Sequence, residues 1–206
     1  MPSDPGQDNP QQRAEQAFRA CVAALVPGQL AIDCGANVGL FTIPMARQGA
    51  RVMAFEPNPV AYQALLKAVE GMENVTALNM AVAADDRERR LFHHVNADSD
   101  PLLWSTGSSL LEFKGNVDPA RYTAVRCFNI VDYICANGPV ALLKIDIEGF
   151  EFEVLEALID REGHRQVGQI FVELHDRKIE KLRPAAAKLR ARIAEQRIDN
   201  INLDWV

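Results

Sequence analysis

The chain has 206 residues, 48% of them apolar and 24% charged, with a net charge of −6. That length and balance suit one globular domain with a sizeable core. The acid excess argues against nucleic acid, which needs clustered Lys and Arg, and no apolar run approaches the roughly 18 residues of a membrane span. Arg87, Arg89 and Arg90 make one tight basic cluster, read as a solvated turn. Met1 to Gln12 lacks the apolar centre of a signal peptide, so a cytoplasmic protein is expected. Cys21, Cys34, Cys127 and Cys135 are scattered, without a Cys-x-x-Cys pair, and read as buried thiols.

Residues 1–10, with three prolines, a glycine and polar side chains, are expected to be a disordered tail, and residues 11–206 a single domain. From Gln11, apolar residues recur at helical spacing to Val26, where Pro27 ends the helix. Leu30 to Asp33 is a buried strand ending in an acid. Gly35 and Gly39 then let the backbone turn tightly and approach a ligand before a helix begins near Val38. Pro44 either kinks that helix or sets its regular start near Ile43. Arg51 to Phe55 is a second strand, with Glu56 at its tip and Pro57 holding it extended.

Strand, glycine loop, helix is the grammar of a nucleotide site, and an acid at the second strand tip is placed to bind ribose hydroxyls. The spacing here is Asp-x-Gly-x-x-x-Gly, and a carboxylate at Asp33 would repel the pyrophosphate of a dinucleotide. A ribose-bearing cation, S-adenosylmethionine, fits better, which disfavours an NAD-dependent oxidoreductase.

Asn58 and Pro59 cap a helix over Val60 to Glu70, and Val75 to Val82 reads as a third strand. Arg90 to Val95 is a further strand whose adjacent His93 and His94 face opposite sides, so that at most one can enter a site. Both read as surface histidines on an accessory hairpin. Residues 96–122 are irregular yet carry Leu102, Leu103, Trp104, Leu110, Leu111 and Phe113, as a lid or binding loop does. Thr123 to Ile130 alternates as a strand, and a short helix spans Val131 to Asn137. Ala141 to Ile147 reads as a central parallel strand with Asp146 and Glu148 at its tip. A helix over Phe150 to Ile159 leads to a strand at Gln169 to Leu174, with Glu173 and His175 at that tip. Adjacent parallel strands bring these four ionisable groups together where open α/β sheets bind ligands. Ile179 to Arg197 is helical, restarting at Pro184, and Ile201 to Val206 is a closing strand.

Ile32-Asp-Cys-Gly-Ala-Asn-Val-Gly39, Phe55-Glu-Pro-Asn58, Gly107-Ser-Ser-Leu110, Leu143-Lys-Ile-Asp-Ile-Glu-Gly-Phe-Glu151 and Phe171-Val-Glu-Leu-His175 together resemble the FkbM family of class I methyltransferases. The resemblance spans roughly residues 20–206, and the Lys-Ile-Asp-Ile-Glu-Gly-Phe-Glu string is its most specific part. It implies a Rossmann-like three-layer α/β sandwich with a mostly parallel sheet, and S-adenosylmethionine as cofactor. Gly35, Asn37, Gly39, Glu56, Pro57 and Asp146 would then join Asp33 in holding the cofactor, with Ala81 along the adenine. The implied acceptor is the hydroxyl of a sugar or secondary metabolite. The 96–122 segment resembles the family's cover over the substrate pocket, with Ser108 and Ser109 at its centre. Asn129-Ile-Val-Asp132 departs from the family's usual Thr-Leu-Asp, at a helix cap. The class normally adds an antiparallel strand beside the fifth, so here either the last strand is placed unusually or a partner subunit, as in a homodimer, covers that edge.

Methyl transfer from a sulfonium needs alignment, exclusion of water and, for a hydroxyl, a base. His175 is the candidate base, with Glu173 holding its tautomer and Asp146 as a second base or a contact to the cofactor's amino group. A less favoured reading has Asp146, Glu148, Glu173 and His175 bind Mg²⁺ or Mn²⁺. A non-catalytic cofactor-binding protein is the rival that would keep Asp33, Gly35 and Glu56 but not need His175.

Overall fold

The computed structural model describes residues 9–205. Six helices, α1 (Pro10–Ala23), α2 (Thr42–Arg47), α3 (Pro59–Ala68), α4 (Ile130–Asn137), α5 (Glu151–Asp160) and α6 (Arg183–Glu195), accompany nine strands. Six of the strands, β1 (Leu30–Cys34), β2 (Arg51–Phe55), β3 (Val75–Leu78), β7 (Val140–Ile145), β8 (Val167–Val172) and β9 (Ile201–Asn202), form a wholly parallel sheet in the order β3-β2-β1-β7-β8-β9. The other three, β4 (Ala81–Ala83), β5 (Glu88–His94) and β6 (Val117–Asn129), form a small sheet in the order β4-β6-β5. The expected α/β sandwich with a parallel central sheet and an accessory hairpin is therefore what the chain builds.

The apolar strands are buried on both faces because helices cover both. On one face Ile32, Leu143, Ile145 and Ile170 meet α4, α5 and α6 through Ile134, Leu155, Leu158 and Leu189. On the other, Ala31, Leu142 and Phe171 meet α1 and α2 through Phe18, Val22 and Met45. Phe18 is the hub there, with ring centroids 5.3 Å from Phe41, 5.2 Å from Phe171 and 5.1 Å from Trp205. Each such buried aromatic contributes on the order of 3 kcal/mol.

The departures from the sequence reading have local causes. Residues 1–8 lie outside the described residues, but Asn9 and Pro10 are not tail: the Asn9 side chain accepts from the Gln11 N–H and caps α1. The helix after the glycine loop starts at Thr42 rather than near Val38, because Asn37 (φ 47°) and Gly39 (φ 92°) hold the loop in left-handed backbone. Pro44 falls in the first turn, where it breaks no helical hydrogen bond. Val75 to Val82 is two strands in two sheets: the Asn79 side-chain amide donates to the Glu56 and Pro57 carbonyls at 2.8 and 3.0 Å and turns the chain between them. Residues 117–122, expected in the irregular stretch, extend β6. Among the described residues the last strand covers only Ile201 and Asn202 and pairs parallel with β8, and Val206, the end of the expected strand, lies outside them.

Candidate active site

The strand order reverses between β1 and β7, and the site opens at their carboxyl ends. Gly35 follows β1 and Asp146 follows β7. The Gly35 N–H donates to the Phe55 carbonyl (3.0 Å), the Asp146 N–H to the Cys34 carbonyl (3.0 Å), and the two loops touch. Gly35 sits at φ 80°, and a Cβ there would stand 1.8 Å from the Asp146 carbonyl oxygen, so only glycine fits.

A cleft with about 640 Å³ of atom-free space, open solvent included, runs from this contact over the tips of β2 and β4. Gly35, Asn37, Glu56, Pro57, Ala81 and Asp146, all expected to touch the cofactor, line it. Met80, Val82, Leu91 and Leu110 give its far end an apolar wall. Glu56 is buried, its two carboxylate oxygens accepting from the Asn37 and Asn58 N–H groups at 2.8 Å each. Burial outweighs those bonds and pushes its carboxyl up to about 7.

Two expected cofactor contacts lie elsewhere. Asp33 is fully buried on the α1/α2 face of β1, accepting from the Thr42 hydroxyl at 2.6 Å and pairing with Lys144 at 3.2 Å. Lys144 also donates to the Gly35 carbonyl at 2.6 Å. The negative charge at Asp33 is thus neutralised inside the sheet, and its part is to brace the glycine loop rather than to attract a cation at the mouth. Gly39 faces Leu65 and Ile43, behind the cleft.

The irregular segment covers the cleft. Ser105, in a 3₁₀ turn over Leu103–Gly107, accepts from the Asn37 amide at 3.1 Å, and Ser108 from the Asn58 amide at 3.2 Å. The Ser109 hydroxyl donates to the Glu148 carbonyl at 2.6 Å. Lys114, buried, donates to the Gly107 carbonyl (2.9 Å) and to Glu148 Oε2 (2.5 Å).

Beneath this cover a second, more polar cavity adjoins the first. His94, Trp104, Lys114, Asn116, Glu173 and Lys178 line it, and it shares Thr106, Asp146 and Glu148 with the cleft. His94 is therefore not a surface residue: it is buried and stacks on Trp104 at 4.2 Å and 16°. His93 faces the other way, to the Thr123 hydroxyl.

His175 lies under that cavity with no exposed surface, its Nδ1 2.9 Å from Glu151 Oε1. Its Nε2 faces Glu148 Oε2 at 3.2 Å, Glu173 Oε1 at 3.7 Å and Asp146 Oδ1 at 3.9 Å. The four groups do converge. As a free base, however, His175 is badly placed: burial works against its charge, but Glu148 and Glu151 outweigh burial and raise its pKa to about 10, leaving no vacant lone pair near neutral pH. Glu173 does not hold the tautomer either, since Glu151 does. Asp146 is raised by burial, against the pull of Lys144, and stays partly exposed to both cavities.

The sequence reading overlooked Glu151 and Lys114. Glu151 closes the most specific motif string, which is the signal at hand, but an acid in the first turn of a helix reads as a dipole partner; a lysine in an aperiodic loop reads as solvated, and nothing local distinguishes Lys114.

The fold and the cleft can now be set beside known proteins. The model of the methyltransferase FkbM domain matches residues 33–198. The chain belongs to the FkbM methyltransferase family. It is 26% identical over 178 residues to methyltransferase sdnD of Sordaria araneosa, covering 74% of this chain and 68% of that one. It is 29% identical over 179 residues to the 31-O-demethyl-FK506 methyltransferase FkbM of Streptomyces tacrolimicus, covering 74% and 67%. It is 23% identical over 172 residues to methyltransferase 1 of Beauveria bassiana, covering 76% and 69%. This FkbM-family chain is an S-adenosylmethionine-dependent methyltransferase. Its residues fit that cofactor: a buried carboxylate at Glu56 for a diol beside the Gly35 loop, and an apolar end at Met80, Ala81 and Leu91 for a base.

Proposed function

We propose that this enzyme methylates a hydroxyl oxygen of a small polar acceptor, a sugar or a hydroxylated natural product, seated in the second cavity. The observation that carries the reading is that Asp146 lines both cavities, so a methyl donor in one and an acceptor in the other meet at its carboxylate. One relative is a 31-O-demethyl-FK506 methyltransferase by name, which supports oxygen as the target. The lining of the second cavity, with Asn116, Glu173, Lys114 and Lys178, matches the many donors and acceptors of a polyol.

When bound, S-adenosylmethionine supplies an electrophilic methyl carbon on a sulfonium and departs as S-adenosylhomocysteine. Glu56 would accept hydrogen bonds from its ribose hydroxyls, Gly35 and Asn37 would hold its amino acid portion, and Pro57 and Ala81 would hold its adenine. Asp146, its pKa raised by burial, would take the acceptor's proton as the methyl group passes from sulfur to that oxygen. The 96–116 segment lies over both cavities and limits the water that reaches them.

The acid excess and the polar second cavity favour a small molecule over nucleic acid or a membrane. No helix among the described residues is long and apolar enough to cross a membrane. The two-residue β9 leaves a short sheet edge that a second copy would cover in a homodimer.

Label transfer from methyl-labelled S-adenosylmethionine to a panel of hydroxylated acceptors tests the reading. Asp146→Asn should lower turnover by about 10² to 10⁴ while S-adenosylhomocysteine affinity changes less than tenfold. Unchanged turnover in that variant, or methylation of amines and thiols but no hydroxyl, would overturn it.

A further inference from the structure

We infer that Asp146, Glu148 and His175, with Glu173 beside them, form a binding site for a divalent cation of the Mn²⁺ type. The inference deepens the proposed methyl transfer and rests on the second cavity being where the acceptor sits.

The argument begins with the tautomer of His175. Glu151 Oε1 accepts from the Ile147 N–H (3.0 Å) and the Gly149 N–H (3.0 Å) as well as facing His175 Nδ1 (2.9 Å). A carboxylate oxygen that gathers backbone donors is an acceptor toward the ring also, so Nδ1 carries the hydrogen. With no ion beside it the ring holds a second proton on Nε2, and a bound cation displaces that proton; the freed lone pair is aimed at the carboxylates, in a side chain with no exposed surface and with no hydrogen-bond partner at that nitrogen. A buried polar atom left so needs an explanation. Carboxylate, imidazole, then a ring nitrogen aimed at acidic donors is the arrangement in which an outer carboxylate orients a metal-binding histidine.

The distances agree with that use. One donor atom from each of Asp146, Glu148 and His175 lies within 4.8 Å of the other two, and ligands on one ion at about 2.1 Å stand roughly 3.0 to 4.2 Å apart. Shifts of a few tenths of an ångström would bring them onto a common ion. Charge agrees too. Asp33, Asp146, Glu148, Glu151 and Glu173 are set against Lys114, Lys144 and Lys178, which pair with Glu148, with Asp33 and Asp146, and with Glu173. Once His175 is neutral, as a metal ligand must be, five carboxylates against three ammonium groups leave the charge of one divalent cation uncompensated. The side chains of Asp146, Glu148 and Glu173 keep 24%, 23% and 17% of their surface exposed, so an ion can enter from the second cavity. A nitrogen donor among oxygens favours Mn²⁺ over Mg²⁺, which prefers oxygen and water. The ion would take one carboxylate oxygen of Asp146, orient the acceptor hydroxyl and make it more acidic, so that the other Asp146 oxygen can take the proton without needing a raised pKa.

Mn²⁺ added to the chelator-treated full chain and followed by electron paramagnetic resonance tests this directly. The expected result is one bound Mn²⁺ per chain, with nitrogen coupling from one imidazole in the pulsed spectrum. His175→Gln should remove that coupling and weaken binding about a hundredfold, and Glu151→Gln should weaken it about ten- to a hundredfold. Absence of stoichiometric binding, or bound Mn²⁺ without nitrogen coupling, overturns the inference; the second outcome needs only the wild-type chain and so stands even if a variant fails to fold. S-adenosylhomocysteine binding is measured on the same sample. If it binds and Mn²⁺ does not, the metal site alone fails; if neither binds, the methyltransferase reading of the site fails with it.

Discussion

Gly35 lies so close to the backbone of Asp146 that the space for one methyl group is already occupied by the Asp146 carbonyl oxygen. The contact ties the loop after β1 to the loop after β7, at the one place where the chain reverses its path through the sheet. This contact, beside the bond from the Asp146 N–H to the Cys34 carbonyl, positions both halves of the cofactor cleft.

Gly35→Ala should accordingly destabilise the fold by about 3 kcal/mol or more, since left-handed backbone and overpacking add, and it should abolish cofactor binding. Urea unfolding checks the first and calorimetry the second. Gly71→Ala is the control: its φ is also positive, at 78°, but nothing lies within 4 Å of its added Cβ, so its cost should stay near 1 kcal/mol.

Lys144, itself buried, holds Asp33, Asp146 and the Gly35 carbonyl together. Lys144→Met would leave Asp33 buried and unpaired, at a cost of roughly 3 to 5 kcal/mol. Adding Asp33→Asn removes that uncompensated charge and should recover a large part of the loss. A double-mutant cycle read by urea unfolding measures the coupling.

Glu56 links pH to cofactor affinity. Its carboxyl is raised from 4.5 to about 7, mainly by burial, so the fold favours its neutral form: the contribution to stability is full below pH 4.5 and is lost as pH rises through 7. Binding runs the other way, because the ionised carboxylate is the better acceptor for ribose hydroxyls. The S-adenosylhomocysteine dissociation constant should therefore rise as pH falls below 7, by up to about tenfold per unit. Glu56→Gln should bind weakly with a flat profile between pH 5.5 and 8.5.

The cover over the cleft is held by Ser105 on Asn37 and Ser108 on Asn58. Each bond is worth about 1 kcal/mol. Ser105→Ala with Ser108→Ala should thus raise the KM for S-adenosylmethionine about tenfold or more in steady-state assays, with little change in the temperature of unfolding.

Much of this was legible in the chain because strand and cap chemistry are local. Leu30 to Cys34 and Val140 to Ile145 are apolar runs that only a doubly covered sheet can bury, and Asn58-Pro59 is a helix start in any context. What escaped was set by contacts distant in sequence. Asn79 divides one apparent strand between two sheets by reaching Glu56 and Pro57. Asp33 is neutralised by Lys144, a partner 111 positions later that sits level with it on the neighbouring strand. His175 looked like a free base because Glu151, which fixes its ring, belongs to another element.

The account depends most on the cleft beside Gly35 and Glu56 taking a sulfonium nucleoside rather than a dinucleotide. Parallel calorimetric titrations of the full chain with S-adenosylhomocysteine and with NADH measure that choice. One S-adenosylhomocysteine bound per chain, weakened at least tenfold by Glu56→Gln, with no heat from NADH, is the result predicted. Saturable NADH binding with no response to S-adenosylhomocysteine would contradict it.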